Sequence, residues 1–281
     1  MTGIGPPVGT QPADGFGLPA GTHSADGVRL PAEPDPVGFA AVVLTGGAAR
    51  RMGGADKPAL PVGGRPMRDR VLAAVADADP RIVVGSTDDL PAGVRGTREQ
   101  PPGGGPVAAA AAGLTLLADA DADEAANVNA DEAANVNVDA DEAADANADA
   151  SVGTEGAGTG GAGTGGAGTV ALLAADLPLL TAEAVRQLRT ELRRVGTADG
   201  VVYVDDAGRR QFLCGIWRVA PLRAALARLA AERDGVLTGT SMRALIAELT
   251  VTEVAWPGSG PPPWFDCDTD DDVRRAEEWI R

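Results

Sequence analysis

The sequence predicts an α/β fold of three layers, α/β/α, built on a mostly parallel sheet. Three observations carry that expectation. Short apolar runs recur, Ala40-Ala41-Val42-Val43-Leu44, Ile82-Val83-Val84 and Val170-Ala171-Leu172-Leu173, with the length and continuity of strands buried on both faces. Segments of helical period alternate with them: Met67, Val71, Leu72 and Val75 fall on one helical face, as do Leu222, Leu226 and Leu229. Two of the apolar runs end at Thr45-Gly46-Gly47 and at Asp176-Leu177-Pro178, residues that suit a ligand crevice beyond the carboxyl end of a parallel strand.

In chain order, residues 1–36 are rich in Gly, Pro and small polar residues without apolar periodicity, and are expected to form a disordered leader. The folded domain is expected over residues 37–281. Its first strand begins at Phe39. The two glycines that follow allow positive φ and leave the main-chain amides bare toward the crevice. A helix start is expected over Ala48 to Met52, and Arg50, Arg51 and Lys57 set three cations around the turn, where a polyphosphate needs neutralising. Neither the Walker string nor the dinucleotide fingerprint occurs.

A turn at Gly63-Gly64-Arg65-Pro66 leads to a helix over Met67 to Ala76, then to the strand Ile82-Val83-Val84 and a short strand at Val94. Glu99 to Pro106 is a second glycine-rich loop, with Gly103, Gly104 and Gly105 adjacent, and an alanine-rich helix is expected from Val107 to Leu117. Residues 119–168 contain no Lys or Arg and hold twelve acids, within near copies of Ala-Asp-Glu-Ala-Ala-Asn-Val-Asn and then Gly-Ala-Gly-Thr-Gly repeats. The period is too short for a solenoid and the calcium-loop string is absent, so a disordered low-complexity insertion is expected there.

Order resumes with the strand that delivers Asp176, a hard oxygen ligand suited to Mg²⁺ bridging a triphosphate. Thr181 is expected to cap a helix to Arg194. Two strands flank Asp205-Asp206-Ala207-Gly208, helices are expected over Pro221 to Arg233 and Ser241 to Leu249, and a strand over Val251 to Trp256. Asp266 and Asp268, spaced by two on an extended segment, face the same way. Asp270, Asp271 and Asp272 read as helix-start acids ahead of a closing helix from Val273 to Ile280.

The net charge of −16 is concentrated in the insertion and argues against nucleic acid as a partner. No apolar run approaches the length of a membrane span, and two cysteines without a C-x-x-C spacing fit a reducing, cytoplasmic setting. The single histidine, His23, lies in the leader, so histidine acid-base chemistry is not expected, and Cys214 reads as a packed thiol.

The run from Leu44 to Lys57, with its Thr-Gly-Gly turn, Arg51-Met52-Gly53 and the lysine, closely resembles the signature of nucleotidyltransferases built like molybdenum cofactor guanylyltransferase. Pro102-Gly103-Gly104-Gly105-Pro106, Asp176-Leu177-Pro178 and Asp266-Cys267-Asp268-Thr269 match that family's later motifs. The resemblance covers roughly Val37 to Leu117 and Thr169 to the end. It implies a Rossmann-like domain that binds a nucleoside triphosphate through Leu44, Thr45, Gly46, Gly47, Lys57, Gly103, Asp176 and either Glu99 or Gln100. It also implies Arg51, Lys57 and Asp176 as catalytic residues, Mg²⁺ on Asp176 with Asp266 and Asp268, and Gln211 near the acceptor.

Such a set, with no activated nucleophile, suits direct attack by a substrate phosphate on the α-phosphorus of the triphosphate, with release of pyrophosphate. Relatives with Gly-Gly in the loop mostly take GTP and those with Ala-Gly mostly CTP. Gly46-Gly47 therefore implies GTP as donor, with molybdopterin as the phosphorylated acceptor. A cytidylyltransferase for molybdopterin, a guanylyltransferase for another phosphorylated acceptor and a catalytically silent nucleotide-binding assembly partner stay open.

Overall fold

A computed structural model describes residues 38–46, 57–136, 168–257 and 260–281. The leader, the expected helix start at Ala48 to Met52 and residues 137–167 lie outside the described residues. The strands are β1 (Ala40–Leu44), β2 (Pro61–Val62), β3 (Arg65–Pro66), β4 (Arg81–Val84), β5 (Val94–Thr97), β6 (Thr169–Ala174), β7 (Gly200–Val204), β8 (Arg210–Arg218) and β9 (Val251–Ala255). The helices are α1 (Met67–Ala74), α2 (Pro106–Val136), α3 (Ala182–Arg194), α4 (Val219–Glu232), α5 (Met242–Leu245) and α6 (Asp270–Ile280).

Seven strands form one sheet in the order β5-β4-β1-β6-β8-β7-β9, and β2 and β3 form a separate hairpin. Pairing is parallel except at β8, which runs antiparallel to both of its neighbours. The cause is local: the Asp205–Gly208 turn, closed by Gly208 N–H donating to Asp205 O at 2.8 Å, sends β8 straight back along β7.

Alternation along β1 sets the layers. All five of its residues are buried. Ala41 and Val43 join Val71 and Leu72 of α1 and Val185 and Leu188 of α3 on one side. Ala40, Val42 and Leu44 join Val107 and Leu114 of α2, Leu222 of α4 and Leu245 of α5 on the other. Each buried Val or Leu contributes about 1.5–3 kcal/mol relative to exposure, which is why a continuous apolar strand settles at the middle of a three-layer stack. Among the described residues no helix is long and apolar enough to cross a membrane.

Three boundaries differ from expectation. Helix α2 runs on past Leu117 to Val136, so residues 119–136 of the insertion expected to be disordered are helical: the Ala, Asp, Glu, Asn and Val of 118–136 contain no Gly or Pro to stop the alanine-rich helix. Helix α5 covers only Met242–Leu245 within the longer stretch expected, and Ser241 caps it by accepting from Ala244 N–H. Helix α6 begins at Asp270, so the three acids lie inside its first turn, where they face the helix dipole. Thr181 caps α3 as expected, accepting from Ala184 N–H at 3.2 Å.

From β1 the chain moves outward to β4 and β5, then crosses to β6 on the other side of β1. The strand order thus reverses between β1 and β6, and in such sheets the crevice for ligands opens there, beyond the carboxyl ends of the strands. A small third core of Val62, Met67, Leu179, Cys267 and Ala276 packs the β2–β3 hairpin, the segment after β6 and α6 together.

Candidate functional site

The carboxyl ends of β1 and β6 are adjacent: Leu44 pairs with Ala174, and Ala175 N–H donates to Leu44 O at 3.0 Å. Beyond them lies a cleft of about 400 Å³ lined by Thr45 and Gly46 from the first strand end, Asp176 from the second, Lys57, Gln211, Trp264, Asp266 and Asp268. Thr45 is fixed by its hydroxyl, which donates to Val84 O at 2.9 Å and accepts from Ser86 N–H at 2.6 Å. Gly85, between those two partners, has φ +114°, and a Cβ there would come within 2.5 Å of Thr45 Oγ1 and 3.2 Å of Gly46 N.

Gly46 does not take the positive φ expected of it. Its lack of a side chain serves close approach instead, since a Cβ would lie 3.5 Å from Glu99 Oε1. That contact distinguishes the two residues the sequence left open. Glu99 is buried and accepts from Gly103 N–H at 3.0 Å, tying the second glycine loop to the first. Gln100 is exposed and lines a different hollow, against α2. Gly47 and Arg51 lie outside the described residues.

Lys57 opens a 3-10 turn anchored by buried Pro58, and its ammonium stands between two carboxylates, 2.6 Å from Asp176 Oδ2 and 2.7 Å from Asp268 Oδ1. Burial works against its charge, but the hydrogen bonds and the charges of Asp176 and Asp268 outweigh that and hold the ammonium above its ordinary value. Asp268 is brought there by main chain: Cys267 N–H donates to Asp176 O at 3.2 Å, Cys267 turns into the third core, and the alternation leaves Asp266 and Asp268 toward the cleft. Thr269 and Asp272 then close a capping box that fixes where the segment ends.

The expected carboxylate trio is not assembled as a trio. Among the described residues no three His, Cys, Asp or Glu groups gather closely enough to hold a metal. Asp176 and Asp268 meet on Lys57, while Asp266 sits at the rim and also borders the neighbouring cleft. Loss of hydration, then the negative charges of Asp268 and Asp176, push the Asp266 carboxyl above its ordinary range. Two hard anionic oxygens on one cation fit Mg²⁺, which takes one or two protein carboxylates and completes its shell with water and phosphate oxygens.

Gln211 lines the opposite wall, held by bonds from Nε2 to Arg209 O at 3.2 Å and Asp205 Oδ2 at 3.4 Å. Cys214 belongs to the same wall but is buried, and burial pushes its thiol up to about 12, the opposite of what a nucleophile needs. Sequence reasoning missed Trp264, which borders the cleft and packs on Tyr203 with ring centroids 5.1 Å apart. Its signal was available: Trp264-Phe265 immediately precedes Asp266-x-Asp268 in a chain with 3% aromatic residues.

Residues 41–252 match the family model described as a MobA-like NTP transferase domain. A probable molybdenum cofactor guanylyltransferase of Haloferax mediterranei is 44% identical over 52 residues, 18% of this chain and a quarter of that relative's length. The molybdopterin-guanine dinucleotide biosynthesis protein A of Archaeoglobus fulgidus superposes with a TM-score of 0.52 at 17% identity, covering 85% of this chain and 97% of that one. The 2-C-methyl-D-erythritol 4-phosphate cytidylyltransferase of Thermus thermophilus does so with a TM-score of 0.51 at 16% identity, covering 86% and 98%.

Proposed function

The chain belongs to the MobA-like NTP transferase domain family, and from that premise we propose that it transfers GMP from GTP to molybdopterin, releasing pyrophosphate. The observation that carries this reading is Lys57 held between Asp176 and Asp268 at the strand-order reversal, beside the bare main chain of Thr45-Gly46. The Haloferax guanylyltransferase match and the Gly46-Gly47 turn favour guanine as the base.

In this reading Thr45 and Gly46 receive the nucleotide beyond β1, and Glu99, pinned to Gly103, borders its base and ribose side. Asp176 and Asp268 would hold Mg²⁺, which when bound neutralises triphosphate charge and orients the α-phosphorus. Lys57 exchanges its carboxylate partners for phosphate oxygens and stabilises charge that builds as the bond to pyrophosphate breaks. Gln211 orients the acceptor phosphate for in-line attack. No residue becomes covalently modified. A cytoplasmic setting fits a GTP-dependent reaction and two buried free thiols.

The test is pyrophosphate release with each of the four ribonucleoside triphosphates, with and without Mg²⁺ and molybdopterin, for the wild type, Lys57→Ala and Asp176→Asn. Release with GTP, dependent on Mg²⁺ and acceptor and reduced at least about a hundredfold in both variants, is expected. Preference for CTP would reassign the base. Binding without release under any condition would make the chain a silent nucleotide-binding partner.

A further inference from the structure

The second glycine loop is held at two points, and one of them lies outside the donor cleft. Gly103 N–H donates to Glu99 Oε1 at 3.0 Å, and that oxygen stands against Gly46 at the first strand end. Gly104 is held from elsewhere: its carbonyl accepts from Gly239 N–H at 2.8 Å, in the loop of residues 233–241 that joins α4 to α5. The two loops meet main chain to main chain. Gly104 is buried, and a Cβ there would lie 2.8 Å from Ala108 Cβ, 3.2 Å from Pro101 O and 3.6 Å from Thr238 Oγ1, while a Cβ on Gly105 would lie 3.9 Å from Gly239 N. A side chain at 104 would force the loops apart.

The α4–α5 loop is built as a fixed support. It is a run of tight turns, in which Gly235 N–H donates to Ala230 O at 2.8 Å, Val236 N–H to Arg233 O at 2.9 Å and Thr240 N–H to Leu237 O at 3.1 Å. Leu237 packs on the α2 side of the core, and Thr240 is buried. The chain passes through Gly239 at φ +73°, a conformation a β-branched residue does not take without strain. The glycine loop itself is less well backed. Toward α2 it borders a hollow of about 490 Å³ lined by Gln100, Pro101, Ala108, Leu116, Leu237 and Thr238. With that side unpacked, the bond to Gly239 is what fixes Gly104.

We propose that the α4–α5 loop is a positioning element for the donor base, in which Gly239, by holding Gly104, sets the spacing between the second glycine loop and Glu99 that discriminates one base from another. The assignment rests on the nucleotidyltransferase reading above and adds residues far along the chain that touch neither phosphate nor metal. Discrimination between bases depends on polar groups fixed at one spacing, because a wrong base then leaves them unpaired. Release of Gly104 shifts Gly103 and, through their shared bond, the Glu99 carboxylate. Recognition of the base is lost first, and the hold on the triphosphate by Lys57 and the first strand end is not.

The experiment is titration calorimetry on the full chain with Mg·GTP, Mg·CTP, Mg·ATP and, as a probe without a base, Mg·tripolyphosphate. The proteins are the wild type, Gly239→Val, Gly239→Asn and Gly235→Val. Nothing stands within 4 Å of the Cβ position at either glycine, so neither position clashes and the substitutions differ in backbone conformation alone. Valine opposes positive φ and asparagine tolerates it. Gly235, at φ +82°, strains the same loop without touching the glycine loop. Urea unfolding of each protein certifies folding, and Gly239→Ala replaces Gly239→Val if the latter does not fold.

Gly239→Val should weaken the nucleotide the wild type prefers about tenfold and leave the other two and tripolyphosphate within about threefold, so that base preference narrows. Gly239→Asn should restore the preference. Gly235→Val should lose stability like Gly239→Val and keep the wild-type preference. The proposal is overturned if folded Gly239→Val, or Gly239→Ala in its place, discriminates as the wild type does, if Gly235→Val narrows the preference equally, or if the wild type binds tripolyphosphate as tightly as every nucleotide. A wild type that prefers a base other than guanine, with the same narrowing in Gly239→Val, would support the positioning role and overturn the choice of GTP. The reaction itself is judged separately, by pyrophosphate release.

Discussion

Replacing Gly85 by alanine tests how the first strand end is held. Two costs follow from its geometry. At φ +114° a Cβ residue is strained by about 1–3 kcal/mol. The new methyl would also lie 2.5 Å from Thr45 Oγ1 and 3.2 Å from Gly46 N, and overpacking against a fixed neighbour adds about 1–3 kcal/mol. Gly235 is the control: its φ is +82°, but nothing stands within 4 Å of its Cβ position, so only strain of about 1–2 kcal/mol applies. Urea unfolding followed by tryptophan fluorescence should therefore give a loss of about 4 kcal/mol for Gly85→Ala, or about 10 °C in Tm, against about 1–2 kcal/mol for Gly235→Ala. Because the clash falls on Thr45 and Gly46, Gly85→Ala should also weaken Mg·GTP at least about tenfold, and Gly235→Ala should not. Equal losses from the two substitutions would refute the packing contribution and with it the role assigned to Thr45.

An acid whose folded pKa is raised contributes stability below its unfolded pKa and loses it as pH rises through the folded value, so ionised Asp266 burdens the native state near neutrality. Asp266→Asn should gain stability relative to the wild type between about pH 3 and about pH 7; a urea-midpoint difference that stays flat over that range would contradict this. Cys214 and Cys267 are buried with thiols pushed up to about 12, so a thiol reagent near neutral pH should label neither in the native protein and both in urea. Rapid native labelling would contradict their placement.

Much of the sheet was legible because burial on both faces leaves no freedom in composition: Val42-Val43 and Leu172-Leu173 had to be apolar whichever helix covered them. Asp176 was legible for the converse reason, a carboxylate directly after such a strand. Thr181 announced its helix because a hydroxyl there satisfies an amide that nothing else reaches. Where energies are nearly balanced, the sequence said less. Glu99 and Gln100 are adjacent, and only tertiary packing turns one inward. The end of α2 could not be read from a segment whose alanines favour helix and whose asparagines and aspartates favour turns. The pairing of Lys57 with both Asp176 and Asp268 joins residues 119 and 211 positions apart, and no local pattern reports such a distance.

A crystal structure of the chain with Mg²⁺ and a non-hydrolysable GTP analogue tests the central claim most directly. The account predicts the triphosphate beyond the carboxyl ends of β1 and β6, with Lys57 on phosphate oxygens and a metal ion on Asp176 and Asp268. A nucleotide bound elsewhere, with Lys57 still bridging its two carboxylates, would contradict it.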